Sequence, residues 1–111
     1  MRAGDVVQID FGVPIGSEPG FARPAVVVTA DVVLAAGART FHVVPVTSNV
    51  ERRLPFEVEV DSVGLTSPSV AQAHLCTVVS RERVVLDQLG NVGSMALAQI
   101  RLLLADLLDI G

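Results

Sequence analysis

The sequence predicts an α+β fold that is mainly β: a small curled antiparallel sheet or barrel with one C-terminal amphipathic α-helix. Three observations predict it. Short β-branched runs follow one another, each bounded by glycine, proline or polar turn residues. One run near the C-terminus repeats its apolar residues at helical spacing. And 111 residues, half of them hydrophobic, suffice for one domain, 1–111, with its own core.

The elements follow in order. Asp5 to Phe11 alternates loosely between Gly4 and Gly12 and reads as a first strand. Gly12 to Pro24 is a long loop rich in glycine and proline. Pro24 to Ala30, "PAVVVTA", is a continuous β-branched run, the pattern of a strand buried on both faces. A connector with one possible helical turn leads to a third strand, Thr40 to Thr47. Its Pro45 points to a sheet edge or a bulge, because proline cannot donate to the ladder.

A polar turn over 48–54 leads to Pro55–Val60, which alternates cleanly. Phe56, Val58 and Val60 are expected on one face, and Glu57 and Glu59 on a solvated one. After a loop, Ser69 to Val79 reads as one further strand. Ser80 is placed to start a single helical turn, and 86–93 to form a last short strand. In the terminal helix Leu97, Ile100, Leu103, Leu104, Leu107 and Leu108 share one arc. Gln99, Arg101, Asp106 and Asp109 share the other, and Ser94 is the expected N-cap.

Composition excludes several classes. A single cysteine, Cys76, permits no internal disulfide and no Cys-x-x-Cys zinc site. The N-terminus lacks the pattern of a signal peptide. The apolar C-terminal run is too short to span a bilayer and is interrupted by Arg101 and Asp106. Net charge is −4, and all eight basic residues are arginines. Phosphate binding rests on cationic contacts, so any nucleic-acid site must be local and built from a few arginines.

The glycines of the long loop fit neither a P-loop nor a dinucleotide fingerprint. No Gly-Lys-Ser/Thr follows, and the loop leads into a strand where those motifs need a helix. Loop flexibility explains them, though connections of this length are often functional. Arg23 stands where the loop becomes a buried strand. It reads either as a bidentate phosphate ligand or as a surface cation paired with a carboxylate. Thr47, Ser48 and Asn49 end the third strand and suit either a turn or a ligand. His42 and His74 lie in predicted strands, where a structural role is simplest. Two histidines cannot make a three-histidine metal site. Cys76 reads as a small buried hydrophobe.

In order, "GDVVQIDF", "PIGSEPGFARPAVVV", "VVPVTSN", "PFEVEV" and "GLTSPSVAQAH" precede the "LLLADLL" helix. This series resembles the MazF/PemK (Kid-like) family of toxin endoribonucleases over nearly the whole chain. The most specific parts are Gly16-Ser17-Glu18 with Arg23-Pro24, and Thr47-Ser48-Asn49. The resemblance implies an SH3-like barrel of the CcdB/PemK type and a cytoplasmic homodimer. It implies metal-independent, cofactor-free, sequence-specific cleavage of single-stranded RNA, with no role for a membrane. It also implies a partner antitoxin of the MazE kind. By position, Arg23 and Thr47 match the family's catalytic residues. Gly16, Ser17 and Glu18 match a loop over the RNA, and Ser48 and Asn49 flank the site.

Two departures stand out. Many relatives carry a doubled basic pair before the proline, where this chain has Arg23 alone after Phe21-Ala22. The fifth strand of relatives often continues Gln-Ile/Val-Arg-Thr, where this chain is read as Leu75-Cys76-Thr77-Val78. Two other readings share the fold: a gyrase-binding toxin of the CcdB type, and a protein-binding barrel. The former relies on a C-terminal Trp-Gly-Ile, and this chain has no tryptophan.

Overall fold

The computed structural model describes residues 1–50, 54–61, 65 and 68–111. Parts of the turn expected over 48–54 and of the loop after Val60 lie outside the described residues.

Seven antiparallel strands form the sheet. They are β1 (Asp5–Asp10), β2 (Ala22–Val27), β3 (Thr40–Thr47), β4 (Glu57–Val60), β5 (Ser69–Gln72), β6 (Thr77–Ser80) and β7 (Val84–Asn91). Their spatial order is β4-β5-β3-β2-β1-β7, with β6 pairing β3 beside β5. A short helix α1 (Asp31–Ala35) joins β2 to β3, and α2 (Gly93–Leu107) closes the chain. No helix among the described residues is long and apolar enough to cross a membrane.

Alternation splits the core between the two sheet faces. On one face Val6, Val26, Val44, Val46, Val58, Val60 and Ala71 pack against Leu97 and Ile100 of α2. On the other, Val7, Ile9, Ala25, Val27, Phe41, Val43 and Val79 pack with Leu34 of α1. This is why "PAVVV" shows no alternation: β2 is central and buries side chains both ways.

Several expectations need correction. Pro45 is buried in a central strand, not at an edge. It falls where β3 changes partner, from β6 at Val43 to β5 at Val46, so a missing donor there costs little. The single strand expected over Ser69–Val79 is two. A 3₁₀ turn, Ala73–Leu75, separates β5 from β6 and puts His74 on the surface.

Phe56 precedes β4 and is 39% exposed, while Glu57 is only 7% exposed. Glu57 is therefore no solvated residue: its Oε1 accepts the Leu54 amide at 2.7 Å and braces the turn into the strand. Ser94 lies inside α2 and not at its cap. The Asn91 Oδ1 instead accepts the Gly93 amide at 2.7 Å. Leu107 and Leu108, expected inward, are exposed, Leu108 by 66%, because the end of α2 runs past its apolar neighbours. Arg101 donates to the Val28 carbonyl at 3.0 and 3.3 Å, tying α2 to the end of β2.

Candidate active site

Strand register brings the predicted residues of β2 and β3 together. Arg23 pairs with Ile9 across β1 and β2. The β2–β3 ladder runs from Val27–Val43 to Ala25–Pro45, and Arg23 and Thr47 each lie two residues beyond that last pair on their strands. Thr47 pairs with Val70, and Val70 with Glu59. Cross-strand partners share a face, so Arg23 sits with Ile9, and Thr47 with Val70 and Glu59; alternation from the Ala25–Pro45 pair puts both sets in one row on the same side of the sheet. The row lies on the face away from α2, since Val46, Ala71 and Val58 alternate with it and pack beneath that helix.

Arg23 is half-buried. Among the described residues it makes no hydrogen bond or ion pair. The reading of Arg23 as a surface cation paired with a carboxylate finds no support there. Three other arginines are spent on the fold. Arg81 donates to the Ala38 and Leu34 carbonyls, Arg83 to that of Asp10, and Arg101 to that of Val28. A half-buried guanidinium without a partner is costly unless a ligand supplies the counter-charge.

The Thr47 hydroxyl oxygen accepts the Asn49 amide at 3.2 Å. This bends the chain as β3 ends and leaves the hydroxyl hydrogen available to a ligand. Ser48 and Asn49 are exposed beyond it. Gln72 adds a residue that the motifs did not suggest. It shares the face of Thr47 and Val70, and its buried Oε1 has no hydrogen-bond partner among the described residues.

The loop after β1 is braced from within. Phe11 and Phe21 close its base, with the Phe11 amide donating to the Phe21 carbonyl at 2.9 Å and the Phe21 amide to Gly12 at 2.7 Å. Glu18 folds the tip: its Oε1 accepts the Ile15 amide at 3.0 Å, and its own amide donates to the Ile15 carbonyl at 3.2 Å. Gly16 takes φ +60° in that turn, and Gly20 lies so close to the Pro14 ring that any Cβ would collide with it. Gly16, Ser17 and Glu18 are exposed. They share no hydrogen bond with Arg23 or Thr47 among the described residues. Instead Ser17, Glu18 and Pro19 face His74, Leu75, Cys76 and Thr77 across a cleft of about 390 Å³.

Neither histidine is interior: His42 and His74 are both exposed and line a groove beside the end of α2. Burial pushes the Cys76 thiol above its ordinary pKa, which keeps it protonated and unreactive near neutrality. Among the described residues no group of three or more His, Cys, Asp or Glu side chains could hold a metal ion.

Residues 2–108 match the model of a family described as the PemK-like, MazF-like toxin of type II toxin–antitoxin systems. The chain is 38% identical over 106 residues to "Endoribonuclease MazF9" of Mycobacterium tuberculosis, covering 90% of this chain and 89% of that protein. Its fold is similar to crystal structures from Deinococcus radiodurans. MazF alone superposes with a TM-score of 0.83 at 30% identity, covering 99% of this chain and 97% of the other. A MazE–MazF crystal form gives 0.76 at 28% identity with the same coverage. The match spans both halves of the Arg23–Thr47 row as well as the sheet and helix that support it. The chain therefore belongs to the PemK-like, MazF-like toxin family of type II toxin–antitoxin systems.

Proposed function

We propose that the chain is an endoribonuclease toxin that cuts single-stranded RNA at specific sequences and is held in check by a MazE-like antitoxin. The observation that carries this reading is the half-buried Arg23 guanidinium, unpartnered among the described residues and on the same sheet face as Thr47, each two residues beyond the Ala25–Pro45 pair. That pairing suits a phosphodiester: a planar fork of donors for two phosphate oxygens, and a hydroxyl beside it.

The reaction needs little from the protein beyond alignment and charge. The ribose 2′-oxygen attacks the adjacent phosphorus, forming the 2′-O–P bond as the P–O5′ bond breaks. The 2′-OH proton is lost to a base, and one proton is gained by the leaving 5′-oxygen. The products are a 2′,3′-cyclic phosphate and a 5′-OH end. Arg23 holds the phosphate and offsets the charge that builds on its oxygens, while Thr47 donates a hydrogen bond to the same group. A guanidinium stays charged at any ordinary pH, so Arg23 acts as clamp and not as the base. No metal or cofactor enters this scheme.

The same reading takes the curled sheet as an SH3-like barrel covered by an amphipathic α2, and the toxin as a cytoplasmic homodimer. Gly16, Ser17 and Glu18 overhang the RNA, and Ser48 and Asn49 flank it. The decisive experiment incubates purified protein with a long unstructured RNA in EDTA and maps both new ends. Cleavage leaving cyclic phosphates, strongly slowed in Arg23→Ala and Thr47→Ala, supports the reading. An intact RNA across several sequences refutes it. Light scattering should give twice the chain mass, and a monomer at micromolar concentration would argue against the dimer.

A further inference from the structure

A single-stranded RNA presents unpaired bases as well as phosphates, and proteins hold such bases on aromatic or imidazole rings. This chain is poor in rings. It has four phenylalanines, no tyrosine and no tryptophan, and Phe41 is buried in the core. Against that background two rings lie in contact on the surface. Phe56 and His74 have centroids 5.9 Å apart and planes inclined at 49°. Phe56 is 39% exposed, and His74 is exposed as well.

The backbone holds both rings firmly. Glu57 pairs with Gln72, and just beyond that pair the Ala73 amide donates to the Phe56 carbonyl at 3.1 Å. The buried Glu57 carboxylate fixes the turn that carries Phe56 by accepting the Leu54 amide. The Ala73–Leu75 turn lifts His74 out of the sheet. There it forms one wall of the cleft whose other wall is Ser17, Glu18 and Pro19. The ring pair also lies close to the reactive row along the chain. Ala73 is three residues along the chain from Val70, the partner of Thr47, or roughly 10 Å at strand rise.

We propose that Phe56 and His74 form a stacking seat for one unpaired RNA base close to the cleaved bond, with the Ser17–Pro19 loop segment closing over it. This rests on the nuclease reading above and deepens it. The rings supply the stacking surface, and the imidazole adds a hydrogen-bonding edge that can discriminate among bases. Glu18 and Cys76 are the other ionisable side chains bordering this cleft. Glu18 spends an oxygen on the Ile15 amide and Cys76 keeps its proton, so neither competes for the base.

The test uses the full-length protein in an Arg23→Ala background, so that RNA is bound and not cut. Oligonucleotides derived from a mapped cut site carry 2-aminopurine at successive positions, and stacking is read as quenching. We expect quenching at one position close to the cut, lost in Phe56→Leu and in His74→Ala, with affinity weakened roughly 5- to 150-fold. His74→Phe restores the ring and should restore quenching and affinity. In the cutting protein, His74→Ala should relax base preference at that same position. Affinity, quenching and cut-site preference left unchanged by His74→Ala and Phe56→Leu would overturn the seat while leaving the nuclease reading intact. Loss in His74→Ala that His74→Phe fails to restore, with thermal melting unchanged, would equally overturn stacking. A wild type that cuts no RNA overturns the nuclease reading itself and the seat with it.

Discussion

The Thr47 hydroxyl oxygen accepts the amide of Asn49 at 3.2 Å, so the side chain is already oriented as β3 ends. An oriented hydroxyl costs no reorganisation when charge develops on a phosphate beside it. Replacing Thr47 by alanine or valine should lower the cleavage rate roughly 100- to 1,000-fold. Thr47→Ser, which keeps both the acceptor and the donor, should retain most of the activity. Single-turnover cleavage with saturating enzyme distinguishes these cases. Activity kept in the valine variant and lost in the serine variant would show that the methyl packing matters and the hydroxyl does not.

Arg23 differs from Arg81, Arg83 and Arg101 in spending no donor on the chain's own carbonyls among the described residues. Its removal should therefore leave the fold nearly untouched and damage RNA handling. Arg23→Ala should slow cleavage by roughly 100- to 1,000-fold. It should also flatten the salt dependence of RNA affinity by about 0.7 in log K against log salt, the share of one phosphate contact. Arg23→Lys keeps the charge but lacks the planar fork, so it should recover the salt slope more fully than the rate. Titrations at several salt concentrations, beside a thermal melt, check both halves. An unchanged slope in Arg23→Ala would remove the phosphate from its role.

How far this was legible in the sequence depends on whether the deciding contacts are local. β2 is plain because an unbroken β-branched run buries both faces of a central strand. The break between β5 and β6 is not, because Ser69–Val79 contains no glycine or proline to mark it. β3 imposes the break by pairing with two different strands along its length. Glu57 misleads in the same way: alternation puts it outside, and only the returning turn at Leu54 gives its carboxylate an interior use. Arg23 and Thr47 could be picked out by motif, yet their alignment depends on register across β2 and β3. Gln72 and the Phe56–His74 pair carry no local mark, since each depends on where β4 and β5 meet.

The loop offers a contrast between two glycines. Gly16 has φ +60° with open space around it, so an alanine there meets backbone strain of about 1–2 kcal/mol and no collision. Gly20 is unstrained, but a Cβ would come within 2.4 Å of the Pro14 ring. Since both proline and backbone would have to shift, Gly20→Ala should displace the loop tip and cost about 1–3 kcal/mol. Gly16→Ala should soften the tip while leaving the Pro14 packing in place. RNA affinity should fall more in Gly20→Ala than in Gly16→Ala. Thermal melts and RNA titrations on both variants read this, and the opposite order would mean that the turn at Gly16, not the Pro14 brace, sets the loop.

Cys76 makes the alkaline limb of stability unusually simple. The chain has no lysine and no tyrosine, so the thiol is the side chain whose ordinary titration falls just above pH 8. Burial raises the Cys76 pKa in the folded protein. The folded state then binds more protons than the unfolded one once pH passes the unfolded thiol's value, about 8.5. The contribution is fully present below that value and is lost as pH rises through the raised folded value. Wild type should thus lose stability above about pH 8.5 more steeply than Cys76→Ala, as measured by urea midpoints across a pH series. The same burial should make the native thiol react with a disulfide reagent at pH 7.5 more slowly than the urea-unfolded chain. Parallel stability curves for the two proteins, or equal thiol reaction rates folded and unfolded, would show that the thiol is solvated after all.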